Sequence, residues 1–356
     1  MAGKVHILGA GLAGMVAAIN LARKGREVLV IEGEKKIGGM HRDLPSIHTT
    51  PIDPAWMSEQ VGIDVTPAFH PIQGFQVVIG RRMYELNPGP MHAVERGARK
   101  TGIDALLYDE ACQAGVQFSF GTLLKDLREV PTGSIVATGL DPTMYDYLDI
   151  PFEIVRGFSG THKTDREPWA AGMMAEYTND YFYANCANHL MYGLFFSRGK
   201  VSAETLELCV RDAEERFGFH LPKWEYSTGR VPTGSARNPR LYQDGYILAG
   251  TLSGAMDPGA LFGIHGAILS GKVAATAVDD PERAIQEFKN MNRFYRISYY
   301  MRRFFSRMPG RLAMMDFNIR HPLIAYPMML LTSAAIPGYH HGTWNYEVMK
   351  SAKRVQ

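Results

Sequence analysis

The run Gly9-Ala10-Gly11-Leu12-Ala13-Gly14 constrains this chain more than any other feature. Lys4 to Leu8 (KVHIL) precedes it and predicts a short buried strand. MVAAINLARKG follows and predicts an Ala-rich helix stopped by Gly25. Glu27 to Ile31 (EVLVI) predicts a second strand that ends on Glu32. Strand, glycine turn, helix, strand and acid in that order form a dinucleotide-binding unit. Gly9 permits the tight turn, Gly11 lets backbone approach a pyrophosphate, and Gly14 lets helix and sheet pack closely. The helix start presents unpaired N–H groups to the phosphates. Glu32 is placed to accept from ribose hydroxyls, and its charge repels a 2′-phosphate, which argues against NADP in this site.

Composition supports an ordinary globular fold, with 46% hydrophobic and 21% charged residues. Cys112, Cys186 and Cys209 are far apart and form no CxxC pair, which gives neither a zinc or iron–sulfur motif nor a disulfide framework. His41, His48, His70 and His92 lack the close spacing of a zinc site, and no metal is expected. Met1 runs into an apolar strand without a signal-peptide pattern, so the expected setting is reduced and cytoplasmic.

Glu32 is followed by GEKKIGG, which places Gly33, Gly38, Gly39 and Met40 just beyond the acid. This glycine pair resembles the extended dinucleotide motif of FAD-binding flavoproteins. Gly133 to Gly139 (GSIVATG) resembles the ATG motif of the same superfamily, at Ala137, Thr138 and Gly139. Gly245 to Ala275 resembles the second FAD motif of geranylgeranyl reductases and the related aromatic hydroxylases. There a strand ends in Gly-Asp, a loop carries Asp-Pro, and Gly-Ile opens a long helix under the flavin. Here these are Gly250-Thr251, Asp257-Pro258 and Gly263-Ile264, so Thr251 stands where the family has Asp. Lys100 to Leu107 resembles the family's Arg-x-x-Phe-Asp helix start, with Lys100 in the Arg position. Ala111 to Phe120 looks like the helix end and strand near the adenine, with Leu124 beyond it.

The resemblance spans residues 4 to about 305. It implies an α/β fold: a Rossmann-like FAD domain split over 1–150 and 233–285, an inserted β-sheet substrate domain over 151–232, and a helical tail over 286–356. It also implies that FAD meets the glycines above together with Leu12, Ala13, Leu124 and Ile264. No second GxGxxG occurs, so the electron donor, whether NAD(P)H, ferredoxin or quinone, binds transiently or as a partner.

Two stretches belong to the expected substrate side. Ala171–Glu176 and Tyr181–Ser197 are β-rich and aromatic, like the sheet that roofs the flavin in the family. YGLFFSR lies where the reductases carry an aromatic-plus-Phe-Pro signature, without its proline. Val201 to Phe217 predicts an amphipathic helix capped by Ser202 and stopped at Gly218. His48, Tyr183, His189 and Tyr192 are the candidate proton donors. The implied activity is an FAD-dependent oxidoreductase acting on a carbon–carbon double bond of a lipophilic, polyprenyl-like substrate. The alternatives are an aromatic monooxygenase and a non-catalytic FAD-binding protein.

The tail is basic. From Pro281 onward there are 12 Lys and Arg against 4 Asp and Glu, a net +8, which leaves −6 for the remainder. Arg283 to Arg303 alternates basic and aromatic residues at helical spacing. Leu323 to Ile336 is apolar but only about 14 residues long and broken by Pro327, short of the roughly 20 a membrane span needs. The segment is expected to contact a membrane surface, cap a substrate channel or pack on a partner. No nucleic-acid partner is expected.

Overall fold

The computed structural model describes residues 3–39, 45–50, 52–89, 91–124, 126–177, 180–197, 201–258, 261–305, 307–324 and 350–355. Three sheets organise it. The first has six strands, with Val5–Leu8 at its heart, parallel to Val28–Glu32 on one side and Ile135–Val136 on the other. Tyr246–Leu248 continues it beyond Ile135–Val136, and Gln117–Phe120 closes the opposite edge. Tyr242–Gln243 adds a short antiparallel edge strand, and the parallel part is covered on both faces, which is why its strands read as apolar runs. Helix Leu12–Ala22 packs against helix Ile264–Asp279. Ile7, Met15, Val16, Ile19, Val30, Ile135 and Ile268 form the centre of that core.

The second sheet has eight strands and is antiparallel apart from one pair. Glu225–Val231, Glu153–Lys163, Leu190–Ser197, Phe182–Ala187 and Trp169–Met174 come from the expected substrate segment. Gly74–Ile79 and Arg82–Leu86 extend the sheet from within residues 1–150, and Lys353–Arg354 from the tail. The sheet therefore does not end at the boundaries expected from sequence. Its join is the parallel pairing of Gly74–Ile79 with Trp169–Met174, a long-range contact without a local signature.

Side chains alternate across this sheet. Phe182, Ala184, Cys186 and Phe195 pack toward helix Ala203–Phe217, with Cys209, Ala213 and Phe217. The intervening Tyr183 and Leu194 belong to the opposite face. The helix has the expected ends: the Ser202 side chain accepts from the Thr205 N–H at 3.1 Å, and Gly218 is left-handed. A three-stranded sheet, Ser46–Thr50, His92–Arg96 and Phe69–Pro71, lies between the two larger ones and carries His48.

The tail begins as helix Pro281–Phe305. Ala284, Phe288, Met291 and Tyr295 bury its inner side in the main core. One turn apart on that helix, Ser298 donates to Asp257 of the loop before helix Ile264–Asp279, and Arg302 donates to Asp180 beside strand Phe182–Ala187. Helix Arg311–Arg320 is held to strand Arg82–Leu86 through Asp316, which accepts from Arg82 and Tyr84 and, within the helix, from Arg320. Among the described residues, no helix is long and apolar enough to cross a membrane.

Candidate dinucleotide and substrate cleft

A cleft of about 610 Å³ opens where the glycine turn, the Ala137-Thr138-Gly139 turn and the Gly250-Thr251 turn converge. Gly9 carries φ +98°, and a Cβ there would sit 2.6 Å from the Ala137 carbonyl oxygen. A Cβ on Gly14 would sit 1.9 Å from the Gly9 oxygen, so only glycine lets the helix seat against the turn. Among the described residues, apart from its chain neighbours, none comes within 4 Å of the corresponding position at Gly11, which faces the cleft. That open space is where a pyrophosphate backbone approach needs it.

The Glu32 carboxylate lines the cleft and bridges two loops. It accepts from the Ala10 N–H at 2.6 Å and the Glu34 N–H at 2.9 Å. This fixes the acid at the mouth of the turn, where a ribose would lie. Gly33, Gly38, Gly39 and Leu124 line the same region, with Thr122 and Leu123 added. Leu12, Ala13, Gly263 and Ile264 also line the cleft. Met40 lies outside the described residues. Thr251 lines the cleft too, but its hydroxyl donates to the Gly139 carbonyl at 2.7 Å. It therefore offers a ligand an acceptor rather than a donor.

Three expected cofactor residues stand elsewhere. Gly14 is behind the turn, where it serves packing. Asp257 is buried but does not line the cleft; it receives the Ser298 hydroxyl instead. Lys100 is exposed and outside the cleft, while Arg96 lines it. Arg96 makes a two-point fork with Asp104, at 2.8 and 3.0 Å, and the Gly97 N–H adds a third bond at 2.9 Å. Asp104 is 1% exposed, and the pair supplies a cation held in fixed orientation. Sequence spacing pointed to Lys100 because the helix-start motif counts four residues back from Asp104. The chain folds so that the residue eight back reaches it.

The candidate proton donors divide similarly. His48 lines the cleft. Its Nε2 is 2.8 Å from Ser46 Oγ, and its Nδ1 is 3.3 Å from the Tyr183 hydroxyl. Tyr192 packs 6.0 Å from His48 and 5.9 Å from Tyr183, ring centre to ring centre. Burial pushes the Tyr192 phenol up to about 12, and it raises Tyr183 well above the ordinary tyrosine range. Both stay protonated at neutral pH. His189 does not join them: it is 85% exposed and sits 3.9 Å from Asp165. Met256 and Leu261 also line the cleft and pack in one cluster with Tyr181, Tyr183, Leu194 and Phe196. His265, in the first turn of helix Ile264–Asp279, is fully buried, and burial pushes its imidazole down to about 3. Among the described residues, no group of His, Cys, Asp and Glu could hold a metal ion.

Comparison with known proteins agrees with this geometry. The family model described as an NAD(P)-binding Rossmann-like domain matches residues 7–49. No curated protein matches the chain by sequence. Among solved structures, the chain is similar to a geranylgeranyl bacteriochlorophyll reductase-like protein from Thermoplasma acidophilum: 15% identity, 98% of this chain and 97% of that one, TM-score 0.66. It is similar to the flavin-dependent brominase Bmp2: 14% identity, 98% of each chain, TM-score 0.64. It is also similar to CtdE, solved in complex with FAD: 14% identity, 96% of each chain, TM-score 0.54. The chain thus has the fold of these three proteins, one of them solved with FAD, and carries a Rossmann-type dinucleotide cradle at its N-terminus.

Proposed function

We propose that the protein is an FAD-dependent oxidoreductase that reduces, or in the reverse direction forms, a carbon–carbon double bond of a lipophilic, polyprenyl-like substrate. The observation that carries the reading is His48. It faces the cofactor cleft and is backed by two protonated tyrosines on the aromatic sheet face. Bound FAD supplies hydride chemistry at its N5 atom. The chain supplies binding, orientation and a proton.

The glycine cradle, Glu32 and the Arg96–Asp104 fork fit the dinucleotide. Met256, Leu261 and Phe262 give the cleft an apolar wall that suits a greasy substrate, and Tyr181 and Phe196 belong to the buried cluster of Met256 and Leu261. His48 holds the proton nearest the cleft. The Tyr183 hydroxyl lies 3.3 Å from Nδ1 and the Ser46 hydroxyl 2.8 Å from Nε2, so both ring nitrogens of His48 are held by hydroxyl groups. Tyr183 is then the positioning residue, and Tyr192 fixes both rings.

A second reading, an aromatic monooxygenase, is supported by the brominase of the same fold and by a tetracycline destructase similar to this chain, at 12% identity and TM-score 0.59. An absorption spectrum followed by anaerobic reduction and readmission of air separates the two. Bleaching by dithionite but not NAD(P)H, with saturation of a prenyl double bond, supports the reductase. Bleaching by NADPH, then oxygen uptake and a hydroxylated product, supports the monooxygenase. A protein that binds no FAD even after it is added back overturns both.

A further inference from the structure

Helix Pro281–Phe305 has two chemically different sides. Its inner side is apolar and packed against the main core. On its outer side Lys289, Arg293, Arg296 and Tyr300 are exposed and follow one another at steps of four, three and four residues. That spacing aligns them on one face. Phe304 comes four residues later, and Arg307 follows just beyond, both exposed. Tyr300 is 50% exposed and Phe304 63%.

No acidic residue occurs between Glu287 and Asp316. The two acids that bound this stretch are already engaged, Glu287 with Arg283 and Asp316 with Arg82 and Arg320. The stripe therefore has no counter-charge of its own along the helix. Farther on, Leu323 and Ile324 are 75% and 65% exposed.

We infer that this outer face docks on an anionic phospholipid surface. Cations and large aromatic rings on one exposed helix face meet both demands of a bilayer interface. The charges face acidic headgroups, and the rings enter the headgroup–acyl boundary. A nucleic acid would engage the cations and leave Tyr300 and Phe304 in water, whereas a bilayer buries both. Each cation near such a surface strengthens binding about fivefold. The inference is independent of which reaction the cleft performs.

The test is co-sedimentation of the full FAD-loaded chain with vesicles of phosphatidylglycerol and phosphatidylcholine, against pure phosphatidylcholine. Binding is expected to the anionic vesicles alone and to fall as salt rises. An Arg293→Glu/Arg296→Glu double variant is expected to bind at least about 25-fold more weakly, from two cations at about fivefold each. A Tyr300→Ser/Phe304→Ser variant is expected to weaken binding while keeping the salt dependence. Melting curves and flavin content of each variant, unchanged from wild type, exclude misfolding. Absence of sedimentation at low salt overturns the inference. So does a charge-reversed, folded variant that binds like wild type, or binding to duplex DNA without binding to vesicles.

Discussion

The Nδ1 atom of His48 lies 3.3 Å from the Tyr183 hydroxyl, which links the small three-stranded sheet to the roof of the cleft. The two residues are 135 positions apart in sequence. If this contact orients the proton donor, His48→Ala should lower turnover by about 10²–10⁴-fold while FAD stays bound. Tyr183→Phe should lower it about tenfold, the loss of one orienting bond. Steady-state rates with flavin content measured in parallel decide it; unchanged turnover in both removes the pair from the mechanism.

The glycine turn yields a sharper structural test. In Gly14→Ala the new methyl would meet the Gly9 oxygen at 1.9 Å, so turn or helix must shift. Destabilisation of about 1–3 kcal/mol is expected, together with loss of FAD on gel filtration. A variant that melts like wild type and keeps stoichiometric flavin contradicts the packing role.

Arg96 and Lys100 can be told apart directly. Arg96→Ala leaves the Asp104 carboxylate buried without its fork and should destabilise the protein by about 3–5 kcal/mol. Lys100→Ala should stay within about 0.5 kcal/mol of wild type in stability and leave FAD affinity alone. Chemical denaturation and flavin titration of both variants check this, and a larger loss from Lys100 would reverse the assignment.

Alkaline pH supplies another test. The Tyr192 phenol ionises near 10.0 in an unfolded chain and at about 12 in the folded one. Its contribution is complete below pH 10 and is lost as pH climbs toward 12, because only the unfolded state gives up the proton. The denaturation midpoint should therefore fall across that window, and less steeply in Tyr192→Phe. An identical slope in the variant would show that Tyr192 is not the buried phenol responsible.

Much of the cleft was legible because its parts are local. The glycine turn, Glu32, the GSIVATG turn and the Gly250–Ile264 motif are each contiguous, and all contribute lining residues. Helix Ala203–Phe217 was legible for the same reason, through a cap and a stop that the nearest residues impose. Residues 45–96 were not. Their strands are short, and no long apolar period marks them. Even there, helix Pro54–Val61 carries local signals that could have been found: Asp53 accepts from two backbone N–H groups at 3.0 Å, proline follows, and Gly62 is left-handed. Gly80-Arg81 between two β-rich runs likewise marks a hairpin. What local reading could not supply was the partner across the sheet, or that Arg99 turns away to Glu95 while Arg96 turns in.

The helix Pro281–Phe305 grips the Asp257 loop through Ser298 and the Asp180 end of the roof through Arg302, one turn apart. A chain shortened anywhere before residue 298 loses both grips in a single cut. Cofactor half and substrate half thus share one fastening, and neither can be prepared alone by trimming the tail. A truncated protein that lost flavin would say nothing about which half had failed; only point changes at 298 and 302 separate the two.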